Sequence, residues 1–461
     1  LQQWQSEMPA QIPTSRRRVA FTIAIGLIAM VLPVAAADGS AHHTKAFHPV
    51  TKTERSLIFR PRHLDGASVV RATVSYKVRQ RHHAVNRTRR VSVRRVRHAL
   101  EHNRSLKVAK PRRAMGGRLL VKAGNEGAER GPVSTSCTFG DFSPTTMPGA
   151  CWRPFADTSP FNRGVSGASQ PAPNSQSIVN RVTGFGGPDK IAPGPENDWS
   201  HPIYYSRPSD PLFTVHCTES WGTCAAEGAQ IRIPDAARAA DGGDAHMAVV
   251  DQASGWEYDF WRVQNKPSGG GTLTVSWGGK TRIGTEDSDG LGSDATVSRF
   301  ALLAGVIRPA ELEAGQINHA LFMTVKCSNG TWVWPAQSGG GTACSSLGLP
   351  NAGAPAIGQH FMLEMSGAEI DALAVPDWQK AILRAMADYG MFVGDTGGAD
   401  WGIQFESSAS YTSFGRSDPW TRLAHRWGLP KYSGKPIFEL SDAVNWSQLR
   451  VVDPCVAQGS C

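Results

Sequence analysis

Four side chains within sixteen residues have the types and spacing for acid–base chemistry: Asp244, His246, Glu257 and Asp259. Glu257 and Asp259 lie two apart in Trp-Glu-Tyr-Asp-Phe-Trp (256–261). On a strand, residues at that spacing share a face and sit ~6.5–7 Å apart. Two carboxyl groups at such a separation are what glycoside hydrolysis requires, one donating a proton and the other acting as nucleophile or base. Asp244 precedes His246 by two residues, so its carboxylate is placed to fix the imidazole tautomer and raise its basicity. A base of that kind suits proton abstraction beside a uronic carboxylate, as in a polysaccharide lyase, with Arg299, Arg262 or Gln359 neutralising the carboxylate. The same residue types also fit hydrated acids and a hydrogen-bonded histidine at a strand start, so the pattern alone leaves hydrolase, lyase and non-catalytic protein open.

The element that must position them is a hairpin over 244–261. Asp-Ala-His-Met-Ala-Val-Val-Asp and Trp-Glu-Tyr-Asp-Phe-Trp are strand-like runs joined by Gln-Ala-Ser-Gly, a short connection containing glycine. Alternation puts Trp256, Tyr258 and Phe260 on one face and Glu257, Asp259 and Trp261 on the other, with Asp244, His246, Ala248 and Val250 sharing a side of the first strand. Further strand-like runs recur between Gly-, Pro-, Ser- and Asp-rich turns: 212–216, 229–233, 272–277, 320–326, 331–334, 360–365 and 401–405. Helices are few. Ser366-Gly-Ala-Glu369 is a capping box, Pro376 opens a helix that Gly390 stops, Asp418-Pro419 begins another that ends at Gly428, and a short piece follows Pro309. Many strands with a few peripheral helices predict a mainly β fold, a β-sandwich or jelly roll. The strand–helix alternation of a parallel α/β fold is missing.

Other residues beside these runs are candidates for substrate contact: Trp261, Arg299, His319 at the head of His-Ala-Leu-Phe-Met-Thr-Val, Trp332 and Trp334 on one face of a short strand, and Asp395 in a Gly-rich turn. Indoles paired on a strand face stack sugar rings or pack a core. No cofactor is implied and no catalytic metal. Two Asp-rich turns, 241–244 and 286–294, offer oxygen ligands of the kind a structural Ca²⁺ takes, but neither satisfies the twelve-residue EF-hand loop. The nucleophile elbow, P-loop, dinucleotide fingerprint and His-Glu-x-x-His are all missing from the sequence.

Compartment is read from the ends and the cysteines. Arg16-Arg-Arg18, an apolar run from Val19 to Val34 and Ala35-Ala-Ala37 form a signal-peptide pattern over 1–37, of which residues 1–7, before Met8, read as an upstream artefact. That run is shorter than the ~20 apolar residues needed to span a bilayer, and no other segment is long and apolar enough. All eight cysteines follow it in four local couples, Cys137 with Cys151, Cys217 with Cys224, Cys327 with Cys344, and Cys455 with Cys461. An even count in an exported chain predicts disulfides, and the localisation expected is secreted, extracellular.

The net charge of +9 conceals opposite halves. From Asp38 to Arg130 there are 23 Lys and Arg against 6 Asp and Glu, whereas beyond that point acids exceed bases by ten. The segment 38–130 therefore reads as a basic, largely disordered arm, a pro-segment or a tether to anionic cell-wall polymers. Nucleic acid is disfavoured, because the chain is exported and aromatic residues are not interleaved with the charges. Residues 131–461 carry thirteen of the fourteen Trp and read as one disulfide-containing β domain.

Two resemblances add to this. Glu257-Tyr-Asp259-Phe-Trp261 resembles the Glu-x-Asp strand of jelly-roll glucanases of the laminarinase and cellobiohydrolase type, although Trp261 and Arg262 stand where those families place a second Glu. Over most of 190–455, the ordered set Asp-x-His-Met-x-Val-Val-Asp (244–251), His-Ala-Leu-Phe-x-Thr-Val (319–325), Trp-Pro-Ala (334–336), Gly-x-x-Phe-x-Leu (358–363) and Tyr-Gly-Met-Phe-x-x-Asp-x-Gly (389–397) resembles a group of uncharacterised secreted bacterial proteins of actinobacterial type. The expectation is a secreted protein that acts on an extracellular polysaccharide, as glycoside hydrolase or lyase, with Asp244, His246, Glu257 and Asp259 as catalytic residues. The competing class is a non-catalytic carbohydrate-binding or wall-associated protein.

Overall fold

The computed structural model describes residues 133–165, 169–185, 200–398, 400–432 and 435–460, and before them several strands between 43 and 123. The signal-peptide pattern and Cys461 lie outside the described residues. The chain divides into two compact units at Glu126/Gly127.

The first unit, over the segment expected as a basic, largely disordered arm, includes strands. Strands Val69–Gln80, His83–Val91 and Ala114–Ala123 pair antiparallel in one sheet with His43–Thr44, and Phe47–Lys52, Ser56–Pro61 and Leu106–Ala109 form another. The charge count hides a period-two pattern here: Ala72, Val74, Tyr76 and Val78 alternate with Arg71, Thr73, Ser75, Lys77 and Arg79, the alternation a strand needs.

The second unit is mainly β, built on two sheets. One has six strands: β1 (Ile203–Ser206), β2 (Leu212–Cys217), β3 (Gln230–Arg232), β4 (Met247–Asp251), β5 (Trp256–Asn265) and β6 (Gly271–Arg282), in the order β1-β4-β5-β6-β2-β3. The expected hairpin is its centre, β4 antiparallel to β5 with Val250 opposite Glu257 and Ala248 opposite Asp259. β6 continues the ladder, Asp259 facing Gly279 and Trp261 facing Trp277. The other sheet has five strands: β7 (Leu321–Val325), β8 (His360–Leu363), β9 (Met391–Thr396), β10 (Gly402–Ile403) and β11 (Leu449–Val452), in the order β10-β7-β9-β8-β11. Within these two sheets three pairings are parallel, β1 with β4, β2 with β6 and β7 with β9.

Alternation along the six-stranded sheet separates two cores. One face gives Tyr204, Phe213, Val215, Met247, Val249, Tyr258, Phe260, Leu273 and Val275 to a core closed by Ala226, Ile231, Ile233 and Ala237. The opposite face gives Ile203, Tyr205, Ala248 and Val250 to the main core, which also holds both faces of β7 and β9 and the buried stripe of helix Asp377–Asp388. Removing that much apolar surface from water, at ~25 cal/mol per Å², does most to hold the two sheets together.

The expected helices form where their punctuation lies. Ser366 and Glu369 make the reciprocal capping box of Gly367–Ala372, Asp418 caps Pro419–Trp427 by accepting from the Trp420 N–H, and Pro309–Ala314 ends on Gly315 at φ 70°, where a Cβ would be strained. One expected strand is corrected: 331–334 makes only an isolated bridge, Trp332 to Ile357, and Pro335 follows with no N–H to extend a ladder. Disulfides join Cys137–Cys151, Cys217–Cys224 and Cys327–Cys344, and Cys455 is also disulfide-bonded. Among the described residues no helix is long and apolar enough to cross a membrane.

Candidate functional site

Glu257, Asp259, Trp261, Trp277 and Gly279 share one face of the β5–β6 ladder, and that face is sealed at one end and open at the other. Over Glu257 and Asp259 lies the segment 291–304. The Leu303 N–H donates to Glu257 Oε1 at 2.9 Å and the Leu302 N–H to Asp259 Oδ2 at 3.1 Å. Both acids are fully buried. Burial, followed by the neighbouring Asp259, holds Glu257 well above the usual carboxylate range, and its O–H donates to Asp259. Burial likewise lifts Asp259 to about 6, against the Ser293 hydroxyl, the Glu257 proton and the Leu302 N–H. The expectation that this pair faces a substrate trough is therefore corrected. Their spacing on the strand is as anticipated, but two backbone amides and a shared proton consume them, and they clamp a loop to the sheet.

His246 also turns inward. It is buried, its ring edge-on to His201 at 5.4 Å. Burial lowers His201 to about 3, so this ring is neutral, and its Nδ1–H donates to the Leu302 carbonyl at 2.8 Å. Asp244 departs from His246 because Ala245 takes φ 37°, which reverses the side-chain alternation. Asp244 is exposed, and its Oδ1 accepts from the Trp261 indole at 3.0 Å.

At the open end, Trp261 and Trp277 stand side by side, half-buried, and Trp221 lies across both at ring separations of 5.6 and 5.5 Å. Trp221 is 49 % exposed. It projects from the loop closed by Cys217–Cys224, which fixes its approach. Arg262 stacks on Trp261 at 4.7 Å and donates from Nε to the Gly243 carbonyl. Sequence reasoning missed Trp221 and Trp277. The available signal was a Trp enclosed in a short disulfide loop beside a strand ending in Trp.

Asp395, on the other sheet, is within reach of the charge of Asp244. At the end of β9 its half-buried carboxylate accepts from the N–H groups of Thr396 (2.7 Å) and Val297. Burial nonetheless raises it to about 7, the two amides opposing and the charge of Asp244 adding to the rise. Arg299, expected to neutralise a substrate carboxylate, pairs with Asp294 at 2.5 Å. Asp294 is carried on the backbone that packs against Gly279, one step along the ladder from Trp261 and Trp277. Among the described residues, the three non-glycine residues with positive φ, Ala245 (37°), Arg262 (51°) and Arg299 (64°), are all here; such backbone costs of order 1–3 kcal/mol each and gathers at functional sites.

Three expected contact residues lie elsewhere. His319 is buried, bonded through Nε2 to Glu311 at 3.1 Å and through Nδ1 to the Ala320 carbonyl. Burial would raise Glu311, but Arg308 and His319 override it and hold Glu311 at about 2. That network ties helix Pro309–Ala314 to Trp152 and is structural. Trp334 packs against the main core, while Trp332 is 52 % exposed. The carboxylates proposed for Ca²⁺ are held by protein donors: Asp241 by Arg238, Asp287 by Thr285, Asp289 by the Leu291 N–H. Among the described residues no three His, Cys, Asp or Glu side chains gather as a metal site. The site is thus a cluster of three indoles, Trp221 half exposed and tilted across the half-buried Trp261 and Trp277, with the exposed Asp244 bonded to one indole N–H. Comparison with protein-family models, curated proteins and solved structures gives no match.

Proposed function

We propose that this chain is a secreted protein that acts on an extracellular polysaccharide, holding it on Trp221, Trp261 and Trp277, on a two-sheet scaffold of the sandwich kind. The observation that carries the reading is the cluster itself: three indoles gathered at the surface, Trp221 tilted across Trp261 and Trp277, with Asp244 fixed to the rim by an indole N–H. Sugar rings present apolar C–H faces and a polar perimeter, and an aromatic face bordered by carboxylates and an Arg matches both. Asp395 extends the reading to hydrolysis. A carboxyl group raised to about 7 is still partly protonated at neutral pH and can donate to a glycosidic oxygen. Asp244, whose charge acts on Asp395, is the partner carboxylate.

The exposure of Trp221 favours a second reading, non-catalytic binding, because an indole at the surface retains a polymer without enclosing a scissile bond. One set of measurements separates the two. The full chain is tested for retention on, and release of reducing ends from, cellulose, chitin, xylan, mannan, β-1,3-glucan and peptidoglycan. Trp221→Ala is expected to weaken retention about tenfold, the loss of ~1.4 kcal/mol of stacking. Asp395→Asn is expected to abolish release and leave retention intact. If hydrolysis occurs, its rate falls as pH rises through about 7, and that limb follows Asp395. Release that persists in Asp395→Asn would remove the catalytic reading; a wild-type chain that neither retains nor cleaves any of these polymers would remove both.

A further inference from the structure

In the first unit, strand register sorts the basic residues. Strand Val69–Gln80 lies between His83–Val91 and Ala114–Ala123, and the three strands carry eight Lys and Arg and no Asp or Glu. Residues directly opposite each other in an antiparallel ladder share a face, and residues two apart along a strand return to it. Arg71 stands opposite Lys122, Thr73 opposite Arg90 and Ser75 opposite Arg118, and Lys77 and Arg79 follow on the same strand and face. Each two-residue step from 71 to 79 therefore brings at least one cation to that face. The steps are ~6.5–7 Å apart, so the row runs for about 26 Å. The other face takes Val74, Val78, Val85, Val91, Leu119 and Val121, with Arg87 and Arg89 among them.

We infer that this face binds a linear phosphodiester polymer without bases, in which phosphates alternate with a small polyol. A regular row of cations matches a polymer with one negative charge per repeat, and the step is close to the reach between successive phosphates of an extended phosphodiester backbone. Arg supplies four of the six cations in the row, and its planar fork matches phosphate geometry where Lys offers a point charge. Thr73, Ser75, Asn86 and Thr88 add neutral hydrogen-bonding residues to the same face. Nucleic acid has a similar backbone, but proteins that hold its single strands stack the bases on aromatic rings. No Phe, Tyr or Trp stands among the residues that the register assigns to this face between 71 and 79. The face belongs to the first unit and does not depend on the glycan reading of the second.

Labelled poly(glycerol phosphate), a thymidine oligonucleotide of equal phosphate number and polygalacturonate of equal charge are titrated with the full chain by fluorescence anisotropy. Poly(glycerol phosphate) is expected to bind most tightly, log Kd rising with log salt at a slope of about 3 to 4, from ~0.7 per neutralised phosphate over the five steps. Arg90→Gln/Arg118→Gln is expected to weaken that binding about tenfold and to lower the slope by about 1. Arg87→Gln/Arg89→Gln, which removes the same charge from the opposite face, should weaken it by less than about twofold. Circular dichroism verifies that both pairs fold. Equal losses in the two pairs would reduce the attraction to bulk charge, and tighter binding of the oligonucleotide or of polygalacturonate would give the face to another partner. A wild-type chain that does not bind poly(glycerol phosphate), or binds it with a salt slope near zero, would remove the site whatever the variants do. Each of these results overturns the proposal and leaves the glycan reading untouched.

Discussion

The pair of acids that the sequence offers most openly for catalysis is the pair the fold hides. Glu257 and Asp259 accept one backbone N–H each and share a proton, so replacing either has a cost that depends on what the replacement can still bond. Glu257→Gln keeps an acceptor for the Leu303 N–H and a donor for Asp259. Its unfolding free energy in urea should stay within about 1 kcal/mol of wild type. Glu257→Ala orphans a buried N–H beside a buried carboxyl group and should lose roughly 2–4 kcal/mol. Equal losses in the two variants would mean that the shared proton contributes nothing. In contrast, Asp244 is exposed, and Asp395→Asn keeps an acceptor for the Thr396 and Val297 N–H groups, so Asp244→Ala and Asp395→Asn are expected to alter function with little change in stability.

At the level of elements, the covering segment 291–304 approaches the sheet where a side chain is missing. A Cβ on Gly279 would lie 2.2 Å from the Asp294 backbone nitrogen. Gly279→Ala must therefore push Asp294 and Arg299 outward, and overpacking of this kind should cost about 1–3 kcal/mol in chemical unfolding. Much of this architecture was legible in the sequence. The hairpin, its two faces, the capped helices and the cysteine couples follow from local rules that tertiary structure left in force. The strands β1, β9 and β11 were not legible, because Ile203–Ser206, Met391–Thr396 and Leu449–Val452 are short runs buried mostly on both faces and show no alternation. Nor was the site itself legible. Asp244 and Asp395 are 151 positions apart, and the turn at Ala245 that exposes Asp244 is a left-handed conformation that no residue type there announces. A solvent-facing pair of acids and a sealed pair have the same spelling in Trp-Glu-Tyr-Asp-Phe-Trp.

For the whole molecule, the buried carboxyl groups set a pH profile. Burial lifts Asp259 to about 6 and Glu406 to about 7 and holds Glu257 well above its ordinary range. A group raised on folding binds more protons folded than unfolded, so its stabilisation is complete below the ordinary carboxylate range and is lost as pH rises through the folded value. Glu311, held at about 2, acts in the opposite sense: its contribution is present above the ordinary range and lost as pH falls towards 2. Calorimetric Tm should accordingly be highest near pH 5 and fall by several degrees towards pH 8, and Glu406→Gln should flatten the alkaline side; a Tm that rises from pH 5 to 8 would contradict this balance. The cysteines bear on how the molecule is made. The three bridges seen in full join residues 14, 7 and 17 positions apart, and none overlaps another. Each couple is finished before the next cysteine emerges, so oxidation can proceed in order from the amino-terminal side without an isomerase to undo crossed partners, and the oxidised chain should refold from denaturant with its pairing intact.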